Sequence, residues 1–231
     1  MSGPAPRPAP SPAELRAWLG EIDVYLFDQI LKGRFVPGMR LLDAGCGRGR
    51  NLRYLLGAGF EVYGVDRDPA AVEAARRLAG ELRPGLPADR FRAEPVERTS
   101  FPDAAFDAVL SSAVLHFARD PDHFAAMLAE AWRVLRPGGI FFARLASDIG
   151  IEDRVRSLGG RRFALPDGTE RFLVDEAMLR DAAARLGAES LEPLRTVNVD
   201  GLRCMTTWCL RRAGQPSPDR PSPAAPPPSD R

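Results

Sequence analysis

The spacing of apolar side chains alternates along the central part of the chain between a strand-like and a helical pattern. Short, nearly continuous apolar runs predict buried strands, and apolar residues three and four positions apart predict helices packed against them. The predicted strands comprise residues 39–43, 60–65, 90–93, 106–111, 140–145, 192–199 and 203–211. The predicted helices comprise residues 14–35 (one or two helices), 51–56, 70–79, 122–135 and 175–186.

This order of elements predicts an α/β fold. Strands that alternate with helices of such length are typical of a parallel sheet with helices on both faces. Because crossovers between parallel strands are right-handed, the sheet is expected to be doubly wound. The tight turn at Asp200-Gly201 predicts a hairpin between the last two strands, so one of them must run antiparallel.

The two ends of the chain differ in composition from this alternating region. Residues 1–12 and 213–231 are dense in Pro, Ala and Ser, and we expect both to be disordered tails. A single domain over residues 13–212 remains, with an N-terminal helical cap at 13–36. The segment 146–174 is basic and contains glycines, and it is expected to be either an inserted lid or a solvated loop.

Composition narrows the possible functions. The 231 residues include 32 basic and 31 acidic side chains, and this near-neutral balance argues against a general nucleic-acid binder. Three cysteines without a CxxC pair indicate a reduced, cytoplasmic location, and with only two histidines no zinc cluster is indicated. No apolar run approaches the length of a membrane span, and the first residues lack the features of a signal peptide.

A glycine-rich turn after the first predicted strand carries the most specific chemical signal. The segment Asp43-Ala-Gly-Cys-Gly-Arg-Gly49 places three glycines where backbone can approach a ligand closely. Asp66 ends the next strand, and parallel topology brings it to the same edge of the sheet as Asp43. There Asp66 can accept hydrogen bonds from the ribose hydroxyls of an adenosine cofactor. Cys46, within the turn, is expected to pack as a small residue rather than act as a nucleophile.

Two adenosine cofactors compete for this turn. A dinucleotide requires the spacing GxGxxG, whereas this turn has GxGxG, with Arg50 at the third glycine position. Asp43 would repel a pyrophosphate, but S-adenosylmethionine (SAM) carries a cationic ammonium and a cationic sulfonium. Charge therefore favours SAM over a nicotinamide dinucleotide.

Taken together, these motifs resemble the successive motifs of class I SAM-dependent methyltransferases. The similarity extends over roughly residues 20–212 and includes Asp43 to Gly49, Val65-Asp66, residues 101–107 and Leu-Arg-Pro-Gly-Gly at 135–139. The resemblance implies a Rossmann-like, seven-stranded, mostly parallel sheet whose last strand is antiparallel. Residues 47–51 and 203–208 also resemble the tellurite-resistance branch through short matches, which do not assign a substrate.

The resemblance also implies which residues hold the methionine end of the cofactor. Asp43, Gly45 and Gly47 would line it, and Gly49 would allow the close approach of the turn. Ser111, at the tip of the fourth predicted strand, would lie beside the methionine portion.

The adenosine end is implied in the same way. Asp66 would hold the ribose, and Arg67 would border the adenine. An acid usually lies near the adenine amino group, but Pro95 occupies the position that the alignment favours. Glu94 is the first choice for this role and Glu97 the alternative, and both can instead be solvated.

The sequence defines the binding site of the methyl acceptor less well than that of the cofactor. Methyl transfer is an in-line displacement that depends mainly on alignment, and a general base is needed only for an acceptor that carries a proton. His116 is the candidate base or else an exposed histidine, and His123 is expected on a helix surface. Arg144 can orient an anionic acceptor or pair with Asp148 or Glu152.

The predicted function is therefore SAM-dependent methyl transfer to a small-molecule acceptor, without a nucleic-acid or membrane partner. A non-catalytic SAM-binding accessory protein is the alternative, and an NAD(P)-dependent oxidoreductase is less favoured. Trp18, Tyr25 and Phe27 can roof the cofactor pocket, although their helical spacing favours core packing for at least two of them.

Overall fold

The structure is a computed structural model that describes residues 9–214. Its strands are β1 (Arg40–Ala44), β2 (Glu61–Asp66), β3 (Phe91–Ala93), β4 (Phe106–Ser112), β5 (Leu135–Ser147), β6 (Arg156–Gly159), β7 (Arg162–Ala164), β8 (Glu170–Phe172), β9 (Ala188–Ser190), β10 (Arg195–Val199) and β11 (Arg203–Arg212). Its α-helices are α1 (Pro12–Leu19), α2 (Val24–Leu31), α3 (Leu52–Gly57), α4 (Pro69–Leu82), α5 (Pro121–Val134) and α6 (Glu176–Arg185).

A mixed sheet with the strand order β10-β11-β5-β4-β1-β2-β3 forms the centre of the fold. Neighbouring strands are parallel except around β11, which runs antiparallel to β5 and to β10. The short strand β9 pairs antiparallel with the end of β11, at the same side as β10. Asp200 and Gly201 have positive φ angles of 54° and 62°, as a tight hairpin requires. The expected doubly wound sheet with an antiparallel last strand is confirmed.

Helices cover both faces of this sheet. The neighbours Leu41 and Leu42 in β1 point to opposite faces and join different apolar clusters. Leu41 packs in the cluster that contains Leu55 of α3 and Val72 of α4, and Leu42 packs in the cluster that contains Phe124 of α5. The strands are therefore buried on both sides, which explains why they form continuous apolar runs in the sequence.

The helices begin where capping side chains accept backbone hydrogen bonds. Ser11, Asp23, Asp68, Asp120 and Asp175 accept from backbone N–H groups in the first turns of α1, α2, α4, α5 and α6. Such caps satisfy N–H groups that have no partner within the helix. The predicted cap at 13–36 consists of two helices, of which the second begins at a capped break.

The segment 146–174 contains regular structure that the sequence did not predict. Strands β6, β7 and β8 form a small antiparallel sheet, ordered β6-β7-β8. They are three or four residues long, and all of β6 is exposed, so no apolar period reveals them. Whether the segment acts as a lid stays a prediction. The predicted disordered tails lie mostly outside residues 9–214, and α1 already begins at Pro12.

Within residues 9–214, no helix is long and apolar enough to cross a membrane.

Candidate functional site

A cavity of about 350 Å³ opens at the carboxyl ends of β1, β2 and β4. This is the edge of a doubly wound sheet at which ligands bind. Its lining residues come from the turns after β1, β2, β3 and β4 and from α5: Gly45, Gly47, Asp66, Arg67, Pro95, Val96, Glu97, Ala113, Val114, Phe117, His123 and Met127.

The three glycines of the turn after β1 all have positive φ angles, but the space around them differs. Gly45, Gly47 and Gly49 have φ values of 85°, 53° and 91°, a region that L side chains rarely adopt. A Cβ added to Gly47 would meet no atom within 4 Å, so this glycine leaves open space. A Cβ at Gly45 would overlap Val114, and one at Gly49 would lie 2.6 Å from Leu52 Cδ1. Gly47 therefore leaves room for a ligand, whereas Gly45 and Gly49 allow close packing.

Asp66 is fixed at the end of β2 by backbone donors. Its Oδ2 accepts a hydrogen bond from Gly47 N at 2.9 Å, and its Oδ1 accepts one from Asp68 N at 3.0 Å. A carboxylate offers about four acceptor positions, so each oxygen can accept a further hydrogen bond. Arg67 lines the same cavity. The structure thus brings together Gly45, Gly47, Asp66 and Arg67, as the sequence predicted.

Asp43 lies in the interior, only 2% exposed, and is not among the residues that line the cavity. Burial raises the pKa of its carboxyl to about 6, although Asn51 Nδ2 donates a hydrogen bond to Asp43 Oδ2 at 3.3 Å. Near neutral pH the residue is therefore a poorly compensated buried anion close behind the glycine turn. A cationic ligand group would stabilise such a charge.

The two candidate acids after β3 have different environments. Glu94 accepts hydrogen bonds from Ser100 N at 2.8 Å and from Ser100 Oγ at 2.5 Å, and it does not line the cavity. Glu97 does line it, together with Pro95. The geometry thus favours the alternative, Glu97, over the first choice.

His123 is not on the surface, and that expectation was wrong. The side chain is 8% exposed and lines the cavity, with Nε2 at 3.1 Å from Glu97 Oε1. Its Nδ1 accepts a hydrogen bond from Arg119 N at 3.1 Å. The position lies in the first turn of α5, and the hydrogen bond from Arg119 ties the ring to the loop after β4.

At the end of β4 the residue that reaches the cavity is Ala113, not the predicted Ser111. Ser111 is buried and does not line the cavity, whereas Ala113 does. Ala113 has a φ of 64° and donates from its backbone N to Arg144 O at 2.7 Å. The strand end therefore turns sharply at Ala113, and this brings its backbone beside the open space.

Asp23, which the sequence analysis did not single out, links the helical cap to the sheet edge. Ser112 Oγ donates to Asp23 Oδ2 at 2.6 Å, and Arg50 Nη2 and Arg144 Nη1 lie 3.3 Å and 3.6 Å from the same oxygen. The backbone N of Asp23 donates to Asn51 Oδ1 at 3.1 Å. The only sequence signal is its helix-capping position before α2, which gives no hint of these distant partners.

A second cavity, of about 240 Å³, adjoins the first, and Ala113 lines both. Its lining includes both predicted residues of the acceptor side, His116 and Arg144, and also Arg171 and Arg203. The wall is built from the turn after β4, the end of β5, the small sheet and the hairpin β10–β11.

His116 is buried in this wall. It is 6% exposed, and its Nδ1 accepts a hydrogen bond from Ala146 N at 3.2 Å. Burial, and then the nearby Arg171 and Arg144, lower the pKa of its imidazole to about 4. In the neutral ring an accepting Nδ1 leaves the proton on Nε2. The histidine is thus arranged as a hydrogen-bond donor, which fits the predicted base role poorly.

Arg144 does not form either of the alternative ion pairs. Asp148 pairs with Arg161 at 3.6 Å, and Glu152 accepts from a backbone N–H instead. The Arg144 guanidinium lies 4.8 Å from the centroid of the Tyr25 ring, and its Nε is buried without a hydrogen-bond partner. The arginine is thus held at the cavity with donor capacity to spare.

Of the remaining sequence candidates, Phe27 and Cys46 pack in the core, whereas Trp18 is 53% exposed. Trp18 and Phe27 each contact the Tyr54 ring edge-on at 5.2 Å and do not line either cavity. Cys46 is 5% exposed, and burial raises the pKa of its thiol, which makes it a packing residue as expected.

The fold and this edge define a doubly wound α/β domain with a site suited to an adenosine cofactor. The methyltransferase domain model matches residues 42–143, which contain the glycine turn and both cofactor acids. Residues 42–143 therefore match a methyltransferase domain, which confirms the resemblance to class I SAM-dependent methyltransferases over that segment.

Curated relatives agree with this identification. The chain is 32% identical to the malonyl-(acyl-carrier protein) O-methyltransferase of Serratia marcescens, over 70% of this chain and 58% of the relative. It is 37% identical to the ubiquinone biosynthesis O-methyltransferase of Methylocella silvestris, over 66% of this chain and 61% of the relative. The chain spans less than two thirds of the length of these relatives.

Solved structures show the same fold. A SAM-dependent methyltransferase from Methanosarcina mazei matches with a TM-score of 0.67 at 21% identity, covering 80% of this chain and 98% of the other. The 1,6-didemethyltoxoflavin-N1-methyltransferase of Burkholderia thailandensis, crystallised with bound 1,6-didemethyltoxoflavin and S-adenosylhomocysteine, matches with a TM-score of 0.58 at 23% identity, covering 91% of this chain and 94% of the other.

Proposed function

We propose that this protein transfers a methyl group from SAM to a small-molecule acceptor. The observation that carries the proposal is the pairing of two adjoining cavities across Ala113. One cavity has the features of a nucleoside site, and the other has room for a small second ligand.

The residues of the first cavity fit SAM. Asp66 has free acceptor positions for the ribose hydroxyls, and Gly47 leaves open backbone beside it. The buried carboxylate of Asp43 favours a cation behind the turn and disfavours a pyrophosphate. Glu97 and Arg67 border the space proposed for the adenine. When bound, SAM supplies a methyl group already activated on a sulfonium.

The protein's own contribution to the reaction is alignment and exclusion of water. Holding two reactants in line can supply roughly 7–11 kcal/mol of the barrier reduction. The buried, neutral His116 can donate a hydrogen bond from Nε2 to the acceptor and thereby orient it. The two relatives are named for different acceptors, so neither name assigns the acceptor of this chain.

We further propose that the protein is cytoplasmic and has neither a nucleic-acid nor a membrane partner. Cys46, Cys204 and Cys209 are all buried as free thiols, which is usual in a reducing compartment. The near-neutral charge supports a small-molecule partner.

Two measurements on the purified chain test the proposed function. S-adenosylhomocysteine and SAM should raise the melting temperature in a concentration-dependent way, and NAD at the same concentrations should not. In the second measurement, the chain should transfer a labelled methyl group from SAM to a component of a small-molecule extract. Stabilisation by NAD alone would refute the cofactor assignment, and SAM binding without any labelled product would indicate a binding protein.

A further inference from the structure

The second cavity has an unusual balance of charge. Three arginines, Arg144, Arg171 and Arg203, line it against one carboxylate, Asp167. Arginine is the side chain best suited to planar oxyanions, because its guanidinium presents donors in a fixed fork. Charged groups gathered at a concave surface are normally balanced by neighbouring charges or by a ligand.

The carboxylate in the cavity, Asp167, forms most of its hydrogen bonds within its own loop. Asp167 Oδ1 accepts hydrogen bonds from Thr169 N at 3.0 Å and Thr169 Oγ1 at 2.6 Å. Its Oδ2 lies 3.6 Å from Arg203 Nη1, so Asp167 already balances Arg203. Arg171 is near enough to interact electrostatically with Asp167 but forms no ion pair with it.

Arg171 has hydrogen-bond donors to spare. Within residues 9–214 it forms no ion pair, and its Nη1 donates to the backbone oxygen of Glu170 at 2.7 Å. Its guanidinium lies 5.0 Å from the centroid of the Phe117 ring, and Phe117 belongs to the lining of the cofactor cavity. Arg171 thus lies next to the boundary between the two cavities, with donors that no group among residues 9–214 uses.

Arg144 and His116 lie in the same wall. Only one Nη atom of Arg144 lies near Asp23, which leaves the other available to a ligand, whereas its Nε is buried and inaccessible. His116 presents the Nε2 proton described above, because its Nδ1 is occupied by Ala146 N. Three donors with spare capacity therefore line one small space, and none of them can release a proton near neutral pH.

We propose that the second cavity binds an acceptor through a carboxylate group, which Arg144, Arg171 and His116 hold. The inference rests on the proposed function, since it assigns a substrate class to the acceptor cavity of that same site. It excludes neutral and cationic acceptors as the preferred ligands. The volume of about 240 Å³ limits the bound part of the acceptor to a small group.

The test uses the full chain saturated with S-adenosylhomocysteine. Acetate, benzoate, succinate and citrate are the probes, and the primary amide of each serves as its uncharged counterpart. The dissociation constants are measured by calorimetry at low ionic strength for the parent, for Arg171→Gln and for Arg171→Lys. Arg180→Gln is the matched control, since Arg180 lies on α6, pairs with Glu176 and lines neither cavity.

At least one carboxylate should bind tenfold or more tightly than its amide. Arg171→Gln should lose this preference, Arg171→Lys should retain part of it, and Arg180→Gln should match the parent. Equal binding of carboxylates and amides, or a preference that survives Arg171→Gln, would overturn the inference. If S-adenosylhomocysteine itself fails to bind, the proposed function fails first, so the two failures are distinguishable.

Discussion

At the scale of single residues, the burial of the Asp43 carboxylate destabilises the folded protein at neutral pH. Its pKa of about 6 in the folded state, against 3.8 for an ordinary aspartate, results from burial. The folded protein therefore retains the carboxyl proton of Asp43 up to about pH 6, whereas the unfolded chain releases that proton near pH 4. The stability associated with the protonated form is fully present below about pH 4 and is lost as the pH rises towards 6.

Asp43→Asn should therefore stabilise the cofactor-free protein at neutral pH. One pKa unit corresponds to about 1.4 kcal/mol, so we expect a gain of about 1–3 kcal/mol in the free energy of unfolding. Denaturant unfolding at pH 5.0 and pH 7.5 measures it, and the gain should be smaller at pH 5.0. A variant that is less stable than the parent at pH 7.5 would contradict this account of the carboxylate.

His116 is predicted to orient the acceptor rather than accept its proton. His116→Asn retains an oxygen that can accept from Ala146 N, so the fold should persist. We expect kcat for labelled methyl transfer to fall by less than about tenfold, because loss of a general base costs typically 10²–10⁴. The pH profile of the parent should also lack a step from this residue between pH 6 and 8. A larger loss in kcat, with such a step in the parent alone, would restore the base role.

At the scale of elements, the second N-terminal helix, α2, begins at a buried carboxylate that also contacts the sheet edge. Asp23 caps α2 and also faces Arg50 and Arg144 at the sheet edge. Through these contacts the helical cap is coupled to the glycine turn on one side and to the acceptor wall on the other. This element therefore supports both cavities without lining either.

Asp23→Asn should keep the helix cap but remove the carboxylate that the two arginines share. Since both arginines are partly exposed, we expect a loss of about 1–3 kcal/mol in the free energy of unfolding, below the loss for a fully buried pair. Glu21→Gln, an exposed change in the same linker, should stay within about 0.5 kcal/mol of the parent. Urea unfolding compares the parent with both variants. If the two variants were equally stable, the Asp23 carboxylate would not stabilise the fold through the two arginines.

The elements also show what the sequence could and could not predict. Strands buried on both faces, such as β4 and β5, produce apolar runs that local pattern is sufficient to detect. β6 to β8 escaped detection because strands of three or four residues, most of them exposed or half-buried, are too short to show an apolar period. In the same way, Gly47 and Asp66 follow from short-range spacing, whereas Asp23, His123 and Arg171 reach the site only through tertiary packing.

At the scale of the whole molecule, the two cavities meet at the carboxyl end of β4, beside Ala113. The cofactor side uses the turns after β1, β2 and β3, and the acceptor side uses β5, the small sheet and the hairpin β10–β11. Because β11 is inserted antiparallel beside β5, residues from the end of the chain, including Arg203, reach the acceptor cavity. One sheet edge thus carries both ligand sites.

The most direct test of the account is a calorimetric titration of S-adenosylhomocysteine into the parent and into Asp66→Ala. The parent should bind with a stoichiometry of one, and loss of the ribose contact should weaken binding at least tenfold. Glu73→Gln, an exposed change on α4, should bind as the parent does. Unchanged affinity in Asp66→Ala, or no binding to the parent, would contradict the assignment of this cavity to the cofactor.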